Sequence, residues 1–123
     1  MEIQVGTTAR VPLVVGEVDT AVALGSGDVP VLGTPRVVAL MEEAAVAAVS
    51  GALDEGTTSV GTRISVDHLA ASAVGATVEA RAQVVGVDGR AISFRLSVHE
   101  SGKLVAKGTH TRFVVDRQAF LGS

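Results

Sequence analysis

The chain has 123 residues, a length that suits one domain, residues 1–123, built on one core. Its net charge of −3, its 2% aromatic content and the lack of any basic cluster argue against a nucleic-acid binder. Zero cysteines exclude a disulfide framework, a thiol nucleophile and a thiolate metal site.

The N-terminal stretch "MEIQVGTTAR" has no basic region followed by an apolar run, so no signal peptide is expected. The most apolar run is too short for a membrane span and is interrupted by a glutamate pair. A cytoplasmic protein without a membrane partner is the expectation. The 47% hydrophobic content is mostly Val and Ala, an apolar surplus that suggests burial against a second subunit.

Residues 10–24, "RVPLVVGEVDTAVAL", read as β-type material broken by Gly16. "GSGDVPVLG" at 25–33 reads as a flexible Gly/Pro-rich loop and a candidate lid. Thr34-Pro35 predicts a helix start, with Thr34 as N-cap and Pro35 at the first helical position. That helix should run to about Ser50 and end at Gly51. Alternating patterns then predict strands over 58–69, 76–87, 91–100 and 103–115, joined by short turns such as "VDGR" and "ESGK". Four consecutive strands with tight connections form an antiparallel sheet, and the apolar helix can bury itself only against that sheet. The fold class is therefore α+β, a long central helix wrapped by a curved antiparallel β-sheet.

The two adjacent glutamates of the helix differ in setting. At about 100° per residue, Glu43 shares a polar stripe with Arg36 and Ser50. Glu42 falls among Val38, Val46 and Val49, with valines at both i−4 and i+4 and no helical cation to pair with it. A carboxylate in a valine sector is costly to ionise and needs a partner from elsewhere or a cavity to face. The plain alternative is a wet helix edge or subunit seam, with an Arg from the sheet as partner.

In "SVGTRISVDHLAA", residues 59–71, alternation places Val60, Thr62, Ile64, Val66 and His68 on the face towards the helix, and Gly61, Arg63, Ser65, Asp67 and Leu69 on the other. His68 thus enters the same interior as Glu42, which leaves two readings: a satisfied core histidine, or the orienting partner of a carboxylate base or nucleophile. His99 falls on the outer face and reads as solvated. His110 lines the sheet or a subunit edge. The spacing of the three histidines suits no metal, so no metal site is expected. Thr34 has an adequate explanation as a helix cap, and the same position brings backbone N–H groups near any ligand bound there.

The segments "TPRVVALMEEA" (34–44), "SVGTRISVDHLAA" (59–71), "VVGVDGRAISF" (84–94) and "GTHTR" (108–112) together resemble the fluoroacetyl-CoA thioesterase-like family of hot-dog proteins, over about residues 10–115. The resemblance implies a hot-dog fold and a homodimer with acyl-CoA bound along the subunit interface. It implies catalytic roles for Thr34, Glu42 and His68, and makes Gly61 a candidate backbone donor to the substrate. Coenzyme A enters only as part of the substrate, and no separate cofactor is implied. The lid "GDVPVLG" carries no aromatic where the fluoroacetyl-selective kind has Phe, so no fluoroacetyl selectivity is expected. The expected activity is hydrolysis of a small acyl-CoA thioester, with Glu42 as nucleophile or general base and His68 as its partner. The alternatives are a non-catalytic acyl-CoA or hydrophobic-acid binding module and, less favoured because Asp67 and His68 face opposite ways, an enoyl-CoA hydratase.

Overall fold

Apolar residues recur at helical spacing from Val37 to Val49, and the computed structural model, which describes residues 1–122, coils this stretch into the 16-residue helix α2 (Thr34–Val49). A single turn, α1 (Ala21–Leu24), precedes it, and α3 (Arg117–Leu121) closes the described chain. Gly33 occupies the cap position of α2, and no side chain caps its N-terminus. Thr34 is therefore the first helical residue rather than the cap, which releases its hydroxyl for another partner.

Five strands, β1 (Thr8–Val14), β2 (Thr57–His68), β3 (Thr77–Asp88), β4 (Ala91–Glu100) and β5 (Lys103–Asp116), form one antiparallel sheet in the order β1-β3-β4-β5-β2. The last four match the expected strands to within one residue at each end. The β-type material expected over 10–24 divides at Gly16. Beyond it the chain makes a 3₁₀ turn at Glu17–Asp19 and then α1, because Thr20 Oγ1 accepts from the Ala23 amide and the Ala21 amide donates to the Val31 carbonyl. These contacts, with an antiparallel bridge between Thr20 and Leu32, fold the segment back on its own loop.

Tight hairpins hold β3 to β4 and β4 to β5. Gly89, at φ 60°, supplies the left-handed residue of the first, while Ser101 and Gly102, at φ 48° and 81°, supply the pair that a type I′ turn requires in the second.

The core lies between α2 and the inner face of the sheet. Val37, Leu40, Met41, Ala44, Ala45 and Val49 pack against alternating residues such as Val78, Ala80, Ala82 and Val84 of β3 and Ile92, Phe94, Leu96 and Val98 of β4, all fully buried. Each large side chain so buried contributes roughly 1.5–3 kcal/mol. The helix rests chiefly on β3 and β1 and only lightly on β2. Its opposite flank, with Val38, Glu42 and Val46, is consequently less covered: Val46 is 42% exposed and the Glu42 side chain 39%. Within one chain, the valine sector does not enclose this carboxylate.

Strict alternation fails once in β2, with consequences for the site. Gly61 pairs with Arg112 and Arg63 with Thr111, so Thr62 is an extra, bulged residue. The bulge reverses the facing of residues before it. Gly61 turns towards the helix, whereas Ile64, Val66 and His68 keep the inward facing that alternation predicts.

Candidate active site

Two polar groups gather on the β2-facing flank of α2. The first surrounds Glu42. Its Oε2 accepts a hydrogen bond of 3.2 Å from Arg112 Nη1 and lies 3.9 Å from His110 Nε2. Arg112 projects inward from β5 and is buried, its side chain 8% exposed. Its Nε donates to Ser59 Oγ at 2.8 Å and its Nη2 to the Ser59 carbonyl at 3.0 Å. Burial pushes the guanidinium below the ordinary arginine value, and the charge and hydrogen bond of Glu42 counteract that. His110 Nδ1 donates to the Arg63 carbonyl at 2.7 Å.

Gly61 closes this group. A Cβ there would come within 2.7 Å of Glu42 Oε2, 3.2 Å of His110 Cε1 and 3.3 Å of Arg112 Nη1. The carboxylate occupies space that only a glycine leaves open.

The second group stands at the helix start. Thr34 Oγ1 and His68 Nδ1 share a hydrogen bond of 2.8 Å. His68 Nε2 is buried and has no protein partner. A cavity of about 310 Å³ borders the pair, walled by small and aliphatic residues including Ala21, Val31, Leu32, Ala70 and Ala71. Ser26, Val31, Leu32 and Gly33 belong to the segment read as a lid, and they do line this cavity. That segment is tied down: Arg36 Nε reaches Asp19 Oδ1 at 3.0 Å, and the Gly33 amide donates to the Asp19 carbonyl. Arg36 thus leaves the solvated stripe in which helical periodicity placed it, while Glu43 remains exposed.

Within one chain, then, His68 partners Thr34 rather than Glu42, and Glu42 partners Arg112. An arginine from the sheet was the plain alternative for that carboxylate. Arg112 and His110 escaped assignment, although Arg112 shares with His110 and Val114 the parity of the inward row of β5. A charged residue in that row is the signal that would have found it.

The sequence profile of FlK, the fluoroacetyl-CoA-specific thioesterase family, matches residues 15–118. This chain belongs to that family. The fluoroacetyl-CoA thioesterase of Streptantibioticus cattleyicolor is 40% identical over 90 residues, an alignment covering 73% of this chain and 65% of the length of that enzyme. A solved structure of the fluoroacetyl-CoA thioesterase FlK superposes with a TM-score of 0.93 at 33% identity, covering 99% of this chain and 95% of the other. A hot-dog-like protein from Thermanaerovibrio acidaminovorans superposes with a TM-score of 0.88 at 28% identity, covering 96% and 87%. The architecture of this FlK-family chain is thus the hot-dog fold. Among its described residues no helix is long and apolar enough to cross a membrane.

Proposed function

We propose that this FlK-family chain hydrolyses the thioester of a small acyl-CoA to the free acid and CoA thiol, as a homodimer with its site at the subunit seam. The observation that carries this proposal is the placement of two half-sites on one helix flank: a carboxylate held by a buried guanidinium, and a threonine–histidine pair beside an open pocket of mixed polar and aliphatic lining. Membership of a thioesterase family and a relative named as a thioesterase support the reaction class.

Thioester hydrolysis needs a carboxylate or base to deliver the attack, a proton for the departing sulfur and donors for the carbonyl oxygen. Glu42 supplies the first, with Oε2 tethered by Arg112 and the other oxygen left to face the thioester. As a nucleophile it forms an acyl anhydride as the C–S bond breaks, and water then cleaves the anhydride. As a general base it takes a proton from the attacking water while hydroxide adds to the carbonyl carbon. In either route the thiolate leaves with a proton from His68, whose unpartnered Nε2 suits that task. Thr34 orients His68 through the 2.8 Å bond, and the positive end of α2 adds to the donors at the carbonyl oxygen. Pro35 has no N–H and the Arg36 amide donates to Gly33, so Thr34 is the helix-start residue that turns to the substrate. The geometry of Gly61 supports a second role beside that of backbone donor, making room for the Glu42 carboxylate.

Thr34 and Glu42 lie eight residues apart, about 12 Å along the helix. That span is too long for Glu42 and His68 of one chain to meet at one carbonyl carbon. A two-fold dimer resolves this by bringing Glu42 of one copy to the Thr34–His68 pair of the other. The free edge of β2 and the exposed Val46 and Leu69 beside it favour such a seam. The acyl group is small and aliphatic, in keeping with the cavity walls. None of the three Phe residues, at 94, 113 and 120, lies in the lid, so fluoroacetyl selectivity is not part of the proposal.

A panel of short, branched and aromatic acyl-CoAs, followed by release of free thiol, tests this assignment. Turnover of a short aliphatic member that Glu42→Gln abolishes is the expected result. Tight binding of acyl-CoA with no thiol release from any member would make the chain a binding module and overturn it.

A further inference from the structure

The partners of His110 dictate its state. The Arg63 carbonyl, 2.7 Å from Nδ1, can only accept, so Nδ1 carries the proton. Arg112 Nη1, 3.2 Å from Nε2, can only donate, so Nε2 keeps its lone pair. The ring is 1% exposed, and Phe94 of the neighbouring strand packs on it with centroids 5.8 Å apart. We propose that His110 is a positioning residue for the Glu42 carboxylate: as a neutral Nδ1–H ring it accepts one N–H of Arg112 Nη1 and thereby aims that nitrogen's other N–H at Glu42. The inference rests on Glu42 being the reacting carboxylate, although the tether itself can be tested without any substrate.

Ser59 holds the far side of the guanidinium through Nε and Nη2, while Nη1 is shared between His110 and Glu42. With the His110 acceptor gone, one Nη1 hydrogen loses its partner and the fork is free to tilt about the Ser59 anchor. Glu42, 39% exposed, then swings towards solvent. Neither ring nitrogen of His110 is open to a substrate, so the residue acts through Arg112 and not on the thioester.

The arrangement also makes the tether sensitive to acid. The charged groups that face the ring are Glu42 from α2 and Arg112 from its own strand. β2 contributes the Arg63 carbonyl and β4 the uncharged Phe94. A proton on Nε2 would point two donors at each other across 3.2 Å, opposed only by Glu42 Oε2 at 3.9 Å. Burial holds the ring below the ordinary histidine value, with the charge of Arg112 adding to the effect and the Arg63 carbonyl and Glu42 working against it.

Long-range ¹H–¹⁵N spectra at about pH 7 should show His110 as the Nδ1–H tautomer. His110→Phe keeps the ring volume and removes the acceptor, and kcat should fall about tenfold with KM within about twofold of wild type. His110→Gln, whose Oε1 can accept from Arg112, should recover most of that loss and remove this group's titration from the acid limb of the pH profile. An Nε2–H or doubly protonated ring, a folded Phe variant with wild-type kcat, or a Gln variant as impaired as the Phe variant would each overturn the proposal. If wild type cleaves no acyl-CoA, the hydrolase assignment fails and the spectra alone judge the tether. A slowly exchanging Arg112 Nη1–H that the Phe variant loses upholds it, and one that the Phe variant keeps refutes it. Should the Phe variant not fold, the wild-type tautomer and the Gln variant serve in the same two senses.

Discussion

Glu42 and Arg112 are seventy residues apart in the chain and meet at 3.2 Å, with Gly61 leaving the space in which they do so. The bulge at Thr62 turns Gly61 inward at this point, and Ser59 orients the guanidinium. The candidate carboxylate is thus placed by β2 and β5 as much as by the helix that carries it.

Gly61→Ala tests that placement. The added methyl would lie 2.7 Å from Glu42 Oε2, and the flexible carboxylate yields before the strand does. We expect a fall in kcat of about 100-fold, the effect of roughly 1 Å of misplacement. The melting temperature should stay close to wild type. Steady-state kinetics and a thermal melt read both.

Arg112→Met should lower stability as well as activity. It leaves His110 Nε2 without its donor and frees Ser59, at a cost of roughly 2 kcal/mol. Glu42, being half-open to water, recovers solvation and adds little to that loss. Urea unfolding measures the difference.

Thr34→Val separates catalysis from helix capping. A capping threonine would cost about 1 kcal/mol when replaced. Here the cap is Gly33 and the hydroxyl serves His68, so unfolding should be nearly unaffected while kcat falls, and Thr34→Ser should retain activity. An unfolding free energy that drops with kcat unchanged would restore the capping role.

Stability should depend on pH through His110. Burial depresses its folded value below the 6.5 of a free histidine. The unfolded chain therefore binds the proton more readily, and the contribution of this group is complete above about 6.5 and lost as pH falls from there towards the folded value. Urea titrations on either side of 6.5 should show this loss in wild type and a smaller one in His110→Gln.

The helix and the four strands that follow it were legible because each buries one face, so the periodicity of the apolar residues reports both the type of element and its extent. The features that went unread depend on partners distant in sequence. The Thr62 bulge is a matter of how β2 registers on β5, which no local pattern encodes. The valines around Glu42 suggested enclosure, yet the lean of α2 towards β1 and β3 leaves Val46 and the carboxylate itself open in the single chain, while Val49 is buried. The stretch "TAVAL" serves a strand or a helix equally well, and its contacts with Val31 decided for the helix. At the site, helical geometry singled out Glu42 from Glu43, but its Arg112 partner comes from a strand seventy residues away.

A mixture of subunits tests whether the two half-sites act across a seam. Glu42→Gln and His68→Ala should each be inactive alone. Exchanged into mixed dimers, one composite site of the two is intact, and about a quarter of wild-type activity should return by random pairing. No recovery in verified mixed dimers would place both residues in a site within one chain.

Whether Glu42 carries out thioester hydrolysis is decided by thiol release from short aliphatic acyl-CoAs by wild type and by Glu42→Gln at equal, verified folded concentration. Wild type should turn these substrates over, and the variant should lose at least about 100-fold, on the scale of a missing base or nucleophile. Equal rates for the two proteins would contradict that role.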